Sequence, residues 1–301
     1  MALVARIRWW LQQLDARLSR LDHAAAAEVI PPRERFEEIA AFVRSIDQPD
    51  EGARRYLELH ILRIARTLGL VPTPRTSSRV LELGAYMQMT PALHCVLGYR
   101  EVRGAYFGPL GRVDEKSISI GGREAFRCSI DLFDAEKDRY PYPDGHFETV
   151  LACEIFEHLL HDPMFMLLEI ARVLEEGGTL VLTTPNVASF TAVARVLEQS
   201  GNPQIFSKYA YPLGEYADTE IPHVREYTPN ELREALQAAG FEVVNLFTEV
   251  IPGYGTDARM RDFLERNQYS AAFRGEQLYA IVRKRAVLPT IRYPHFLYEG
   301  C

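Results

Sequence analysis

Residues 130–163 read "IDLFDAEKDRYPYPDGHFETVLACEIFEHLLHDP". An apolar run ends near the start of this stretch, an acidic loop follows, and "YPDG" marks a turn before the next apolar run. "ETVLACEIF" therefore reads as a strand between breakers. Directly behind it Glu154, Glu157 and His158 stand at i, i+3 and i+4. On a helix these positions share one face. Two carboxylates brought together repel unless a proton or a cation lies between them. A solvated, capped helix face and a cation site are both open readings of that spacing.

Working outward, short β-like runs alternate with helical periods. "RVLELG" is a first strand, "TPALHCVLGY" a helix and "EVRGAYF" a second strand. "ISIGGREAFRCSIDLF" contains a third after a hairpin-like excursion, and "ETVLACEIF" is the fourth. "PMFMLLEIARVLEEGG" is a helix ended by Gly-Gly, followed by "TLVLTTPN" as a fifth strand. "TPNELREALQAAGF" is a late helix, before "EVVNLFTEVI" and "EQLYAIVRKR" as the sixth and seventh strands. The alternation predicts a doubly wound, Rossmann-like α/β sheet of seven strands, with ligands at the carboxyl ends of the strands. Up to about residue 75 the pattern is helical, and "VPTPRTSS" is a breaker. The expected organisation is an N-terminal helical extension (1–75), a main domain (76–285) and a C-terminal tail (286–301).

The chain has 301 residues, 47% of them hydrophobic and 25% charged, as in ordinary globular domains. A net charge of −7 argues against an extended phosphate-binding surface, and thus against nucleic acid. The four cysteines (Cys95, Cys128, Cys153, Cys301) lack CxxC spacing and read as reduced thiols of a cytoplasmic protein. No apolar run is long enough to span a bilayer. "MALVARIRWWLQQLDARLSRLD" reads as an amphipathic helix with Leu3, Ile7, Trp10, Leu11, Leu14 and Leu18 near one side. It would dock on the protein's own body or on a second copy, giving a homodimer through the N-terminal helices. Trp9, Trp10 and four arginines leave a membrane surface as the other reading.

"VLELGAY" puts Glu82 near the end of the first strand and Gly84 in the following turn, where a missing Cβ permits close backbone approach to a ligand. "V-L-E-x-G", "P-Y-P-D-G-H-F-E-T-V", "E-I-F-E-H" and "YTPNELREALQAAGFEVV" occur in the order in which similar pieces occur in class I S-adenosylmethionine-dependent methyltransferases. The chain resembles that family over roughly residues 78–250, although Tyr86 and Gln88 stand where further glycines are usual. The resemblance implies that Glu82, Gly84 and Ala85 line the methionine part of the cofactor. Asp131 and Leu132 would hold the adenine, and Cys153 and Glu154 would face the methionine moiety and the acceptor. The usual acid for the ribose after strand two is replaced by Gly104, Ala105 and Tyr106. Asp114 or Glu115 could return from the next loop, or Tyr106 could contact the ribose alone.

A subset of the family, including ubiquinone-pathway O-methyltransferases and small-RNA 3′-end 2′-O-methyltransferases, carries E-x-x-E-H. In the latter a second histidine arrives before the late helix, as His223 does in "EIPHVREYTPNEL". The resemblance implies Glu154, Glu157, His158 and His223 as ligands of Mg²⁺, Mn²⁺ or Zn²⁺, with His158 and His223 as the catalytic pair. The expected reaction is metal-assisted O-methylation of a small molecule or glycan. RNA methylation and a catalytically silent binding module are the alternatives. Asn186 is read as facing the substrate or as a turn residue. Arg225 and Tyr227 are read as substrate contacts or packing, and Tyr254 as loop structure. His161 and Asp162 are read as a helical stop.

Overall fold

The computed structural model describes residues 33–299 apart from 76, 209–221, 252, 255–257 and 288. The amphipathic stretch 1–22 thus lies outside the described residues. Helices α1 (Arg33–Ser45) and α2 (Glu51–Leu70) come first, α2 being capped by the Asp50 carboxylate, which accepts from the Ala53 amide. Strand β1 (Arg79–Leu83), helix α3 (Thr90–Cys95) and β2 (Glu101–Tyr106) follow. Next come β3 (Val113–Ile120), β4 (Arg123–Leu132), β5 (Phe147–Cys153), α4 (Pro163–Val173) and β6 (Leu174–Pro185). Helix α5 (Phe190–Leu197), α6 (Pro229–Ala238), β7 (Phe241–Glu249), α7 (Ala258–Arg266) and β8 (Gln277–Lys284) complete the order.

One eight-stranded sheet runs β3-β4-β2-β1-β5-β6-β8-β7. Its centre is parallel, and β3 and β8 each pair antiparallel to their neighbours. Seven of the strands are those expected. The eighth, β3, is the hairpin excursion itself, paired along β4 from Val113–Asp131 to Ile120–Arg123. The other departure lies after α4, which stops at Val173, before Gly-Gly. The two glycines instead sit in an interruption of β6, where the register against β5 jumps from Phe147–Leu174 to Thr149–Thr179. Gly177 there has φ +69, a left-handed conformation that favours glycine. Helices α5 and α7 had no counterpart in the sequence reading.

Alternation along the strands fills both faces. Leu81 and Leu83 of β1, Val150 and Ala152 of β5, and Leu180 and Leu182 of β6 pack with α4 and α6. Val80, Leu151 and Val181, at the intervening positions, pack with α1, α2 and α3 through Ile39, Leu57, Ile61, Ile64 and Leu93. The described part of the helical extension is therefore one of the layers covering the sheet. The tail also rests on the core through Phe296, Leu297 and Tyr298.

Candidate active site

A cavity of about 1520 Å³ opens over the carboxyl ends of β1, β2, β4 and β5, where a doubly wound sheet presents its ligand crevice. At one end lies Glu82, only 2% exposed, whose Oε2 accepts from Thr90 Oγ1 at 2.6 Å. Burial pushes its carboxyl up to about 7, against the opposing effect of the Thr90 hydrogen bond. Gly84 lines the cavity with φ +67, and a Cβ there would stand 3.0 Å from Ile155 Cδ1. Cys153 also lines it, and burial, then the charges of Glu82 and Glu154, raises its thiol pKa. The Tyr106 hydroxyl donates to that of Tyr86 at 2.7 Å on the same wall.

Three expected cofactor residues are placed elsewhere. Asp131 accepts from Arg103 Nε at 2.9 Å and from the Tyr142 hydroxyl at 2.7 Å, and Leu132 packs with Ala85, Cys128 and Ile130. Strand β4 runs through Leu132, and Phe133, Asp134 and Ala135, which follow it, reach the cavity. Ala85 does not line the cavity, and its amide donates to Ala105 O at 3.0 Å. The ribose question narrows likewise: Asp114 is bound by Arg112 and Glu115 by Ser129, leaving Tyr106 at the cavity.

At the other end the E-x-x-E-H residues do not share an α-helical face. Glu154 has φ +55, and only Phe156–His158 form a short 3₁₀ turn. The Glu154 side chain lines the cavity and is held by three partners. Its Oε2 pairs with Arg63 at 3.0 Å, and its Oε1 accepts from Thr183 Oγ1 at 2.7 Å and Gln277 Nε2 at 2.8 Å. Of the four residues expected to hold a metal, Glu154 is engaged by these partners and stands apart from the other three. Ligand atoms of Glu157, His158 and His223 lie within 4.8 Å of one another.

Glu157 is fully buried; Thr184 Oγ1 donates to its Oε2 at 2.9 Å, and its Oε1 has no partner among the described residues. Burial first, then the Glu154 charge, holds its carboxyl well above the usual range. His158 Nδ1 is 3.3 Å from Pro222 O, and His223 Nδ1 is 3.3 Å from Glu226 Oε1. The two rings meet edge to face at 4.7 Å. The amides of Val224 and Arg225 donate to Glu157 O, pinning the loop that carries His223 to the turn.

Several lining residues were not anticipated. Tyr56, His60 and Arg63 of α2 reach the cavity, and Phe206, Tyr254, Gln277 and Tyr279 complete its far side. The signal for α2 was the i, i+4, i+7 spacing of Tyr56, His60 and Arg63, which puts them on one face. Burial, then Arg63, lowers the His60 pKa to about 4. Burial opposes the Arg63 charge, but the charge of Glu154 together with Tyr56, Tyr279 and Cys153 outweighs it and raises its pKa. Asn186 is buried, with its amide nitrogen donating to Phe273 O and Gly275 O, so the turn reading holds. Arg225 binds Glu231 and lies over the Tyr227 ring. Asp162 starts α4 as its cap instead of stopping a helix, and His161 lines the cavity.

A protein family described as "Methyltransferase domain" matches residues 50–246 of the chain. Over 114 residues the chain is 29% identical to a protein of Mycolicibacterium smegmatis named "Probable S-adenosylmethionine-dependent methyltransferase". That match covers 38% of this chain, and the chain spans 36% of the length of that relative. Among solved structures, an S-adenosylmethionine-dependent methyltransferase from Archaeoglobus fulgidus superposes with a TM-score of 0.48 at 17% identity, over 78% of this chain and 100% of that one. One from Mesorhizobium loti gives 0.44 at 15% identity, over 75% and 98%.

Proposed function

Because the chain belongs to the class I S-adenosylmethionine-dependent methyltransferase family, we propose that it transfers the sulfonium methyl group to a hydroxyl of a small molecule or glycan, assisted by a divalent cation. Glu157 carries the metal part of this reading. A buried carboxylate oxygen without a partner is costly, and this one stands beside two imidazoles. Each imidazole has Nδ1 facing an acceptor, the Pro222 carbonyl or the Glu226 carboxylate. With a proton on Nδ1, Nε2 keeps its lone pair, as in histidines that bind metals.

Glu157, His158 and His223 would hold the cation, and the mixed donor set suits Zn²⁺ or Mn²⁺, with Mg²⁺ as the harder alternative. A cation bound there acidifies and orients an acceptor hydroxyl. The chain's own groups do the rest. Glu82, Gly84 and Cys153 border the methionine part, Tyr106 the ribose, and Phe133 to Ala135 the adenine. Glu154 holds Arg63 and the ends of β6 and β8 together behind the reacting groups. The aromatic walls keep water from the methyl group, and the two cavity ends set donor and acceptor in line. Because α2 supplies Arg63 and His60, the working unit extends the expected domain 76–285 upstream through that helix. Free thiols at Cys95, Cys128 and Cys153 suit a reducing, cytoplasmic setting, and among the described residues no helix is long and apolar enough to cross a membrane.

His223→Ala and Glu157→Gln test the reading, each with and without EDTA and with Mg²⁺, Mn²⁺ or Zn²⁺ returned. Methyl transfer should vanish in EDTA, return with one of the cations, and fall roughly 10–100-fold or more in each variant while cofactor affinity stays near the parent value. Full activity in EDTA together with full activity of both variants would remove the metal from the proposal.

A further inference from the structure

The wall of the cavity built by β8 and α2 carries polar groups that the fold itself leaves unused. Gln277 and Tyr279, two residues apart on β8, share one side of the sheet. Each is only 2% exposed, yet both line the cavity. The Gln277 amide nitrogen is committed to Glu154 Oε1 at 2.8 Å and Thr184 O at 3.1 Å, whereas its Oε1 accepts nothing among the described residues. The Tyr279 ring stacks on Phe247 at 5.0 Å, and its hydroxyl likewise has no partner among them. From α2 the His60 ring lies 4.3 Å from that of Tyr56, with neither nitrogen hydrogen-bonded to a described residue. Buried polar side-chain atoms are nearly always paired. None of these is sealed in the interior, and each opens on the cavity that its residue lines.

The chemistry of this wall is narrow. Gln277 Oε1 can only accept, so the group it meets must donate. Burial raises the Tyr279 phenol, which keeps its proton, and burial leaves the His60 imidazole uncharged at neutral pH. Both can donate or accept. The two cations of the wall are already neutralised, Arg63 by Glu154 at 3.0 Å and Arg66 by Glu249 at 2.7 Å. A carboxylate or phosphate finds no free positive charge here, and an ammonium no free negative one. A hydroxyl, donor and acceptor at once, suits Gln277, Tyr279 and His60 alike. Glu154 joins this wall to the turn that carries Glu157 and His158. A cavity of about 1520 Å³ also exceeds the roughly 300–1,000 Å³ of a site for one small ligand, leaving room beyond the cofactor. Resting on the transfer to a hydroxyl argued above, we propose that Gln277, Tyr279 and His60 form a subsite for a second hydroxyl of the acceptor. The acceptor is then an uncharged polyol, a glycan or a polyphenol.

Binding to the full chain tests this with S-adenosylhomocysteine and EDTA present, so that neither turnover nor a metal enters. Saturation-transfer NMR would compare methyl maltoside and luteolin, neutral polyols of the two kinds, with methyl glucuronide, methyl glucosaminide and a monohydroxylated flavone. At least one neutral polyol should bind, and which one does names the source. Tyr279→Phe and His60→Phe keep the rings and should each weaken that binding about 2–10-fold, with cofactor affinity and circular dichroism unchanged. Any binding of the monohydroxylated flavone should not respond. Gln277 is left intact because its nitrogen holds Glu154. Three results overturn the proposal: no binding of either polyol, a charged sugar that binds better than the neutral one, or polyol binding that both substitutions leave unchanged. Metal-independent methyl transfer would remove the cation and leave this pattern in place. A failed pattern beside intact cation dependence would remove the subsite alone.

Discussion

At the cofactor end of the cavity the shaping groups are local and largely backbone: a turn after β1, a left-handed Gly84, and a buried Glu82 eight residues before Thr90, where its partner helix begins. At the acceptor end they are side chains delivered by separate segments: Glu157 and His158 from a 3₁₀ turn, and His223 from a loop pinned to that turn through two amides. The first kind of site tolerates distant change but not change at the turn. The second depends on every segment arriving in register. The same contrast separates two carboxylates three residues apart. Glu154 is spent on Arg63, Thr183 and Gln277, whereas Glu157 keeps one oxygen unpartnered.

The largest effect should follow a change at the cofactor turn. Gly84→Leu puts a side chain where φ is +67 and where even a Cβ stands 3.0 Å from Ile155. Left-handed backbone costs an L-residue about 1–2 kcal/mol, which a domain of this size can absorb, but the added side chain occupies the cofactor's approach. Calorimetric titration should show no S-adenosylmethionine binding, with a melting transition still present. Unchanged affinity would place the cofactor elsewhere.

The two glutamates offer the next comparison. Glu157→Gln should weaken metal binding roughly 10–100-fold with little change in melting temperature, because burial already disfavours its charge. Glu154→Gln should leave metal affinity intact and instead destabilise the fold by about 1.5–3 kcal/mol, since Arg63 loses a charged hydrogen-bond partner. Isothermal titration with Zn²⁺ and urea melts read the two outcomes separately. If Glu154→Gln also abolished metal binding, the ligand set would be the quartet after all.

That pair also shows where the sequence was readable. The succession of strands along the chain and the turn at Gly84 were legible because periodicity and local turn chemistry mark them, whereas Glu157, His158 and His223 were named together only through the family resemblance. The engagement of Glu154 was not legible, because its partners Arg63, Thr183 and Gln277 come from α2, β6 and β8, far apart in the sequence. Nor was the engagement of Asp131, which depends on Arg103 of β2 and on Tyr142 from the loop before β5. Tyr56, His60 and Arg63 were visible as a helical face, but that face could not be aimed without the packing of Ile61 and Ile64 against the sheet.

A third effect, spread over the pH range, tests the electrostatics of the cofactor end. The Glu82 carboxyl titrates near 7 in the fold against an ordinary value of 4.5. Between those values the folded state holds more protons than the unfolded chain, so stability falls as pH rises from 4.5 to about 7 and is flat outside. At 1.36 kcal/mol per pKa unit the whole change is on the order of 3 kcal/mol. Glu82→Gln keeps an acceptor for Thr90 and removes that slope. Without cofactor, it should gain stability relative to the parent at pH 8 but not at pH 4. Glu157 and His60 titrate in both proteins and cancel from the difference. Parallel melting curves for the two proteins across pH 4 to 8 would show that the Glu82 charge is not held back by burial.

The smallest expected effect concerns the ribose. With Asp114 and Glu115 engaged on the β3 hairpin, Tyr106 is the polar side chain left on the cavity wall after β2, its hydroxyl shared with Tyr86. A neutral hydroxyl contributes about 0.5–1.5 kcal/mol through a hydrogen bond, whereas a carboxylate would contribute roughly twice that. Tyr106→Phe should therefore weaken S-adenosylmethionine binding only about 2–10-fold, leaving the ring in place against Tyr86. Asp114→Asn and Glu115→Gln should leave it unchanged. Because Tyr86 is itself exposed, water replaces the lost partner and the fold should not respond. Measuring all three by titration calorimetry separates the alternatives that the sequence left open: a loss confined to Asp114→Asn or Glu115→Gln would mean that the hairpin folds over the ribose when the cofactor binds, and that the cofactor end also depends on a distant segment.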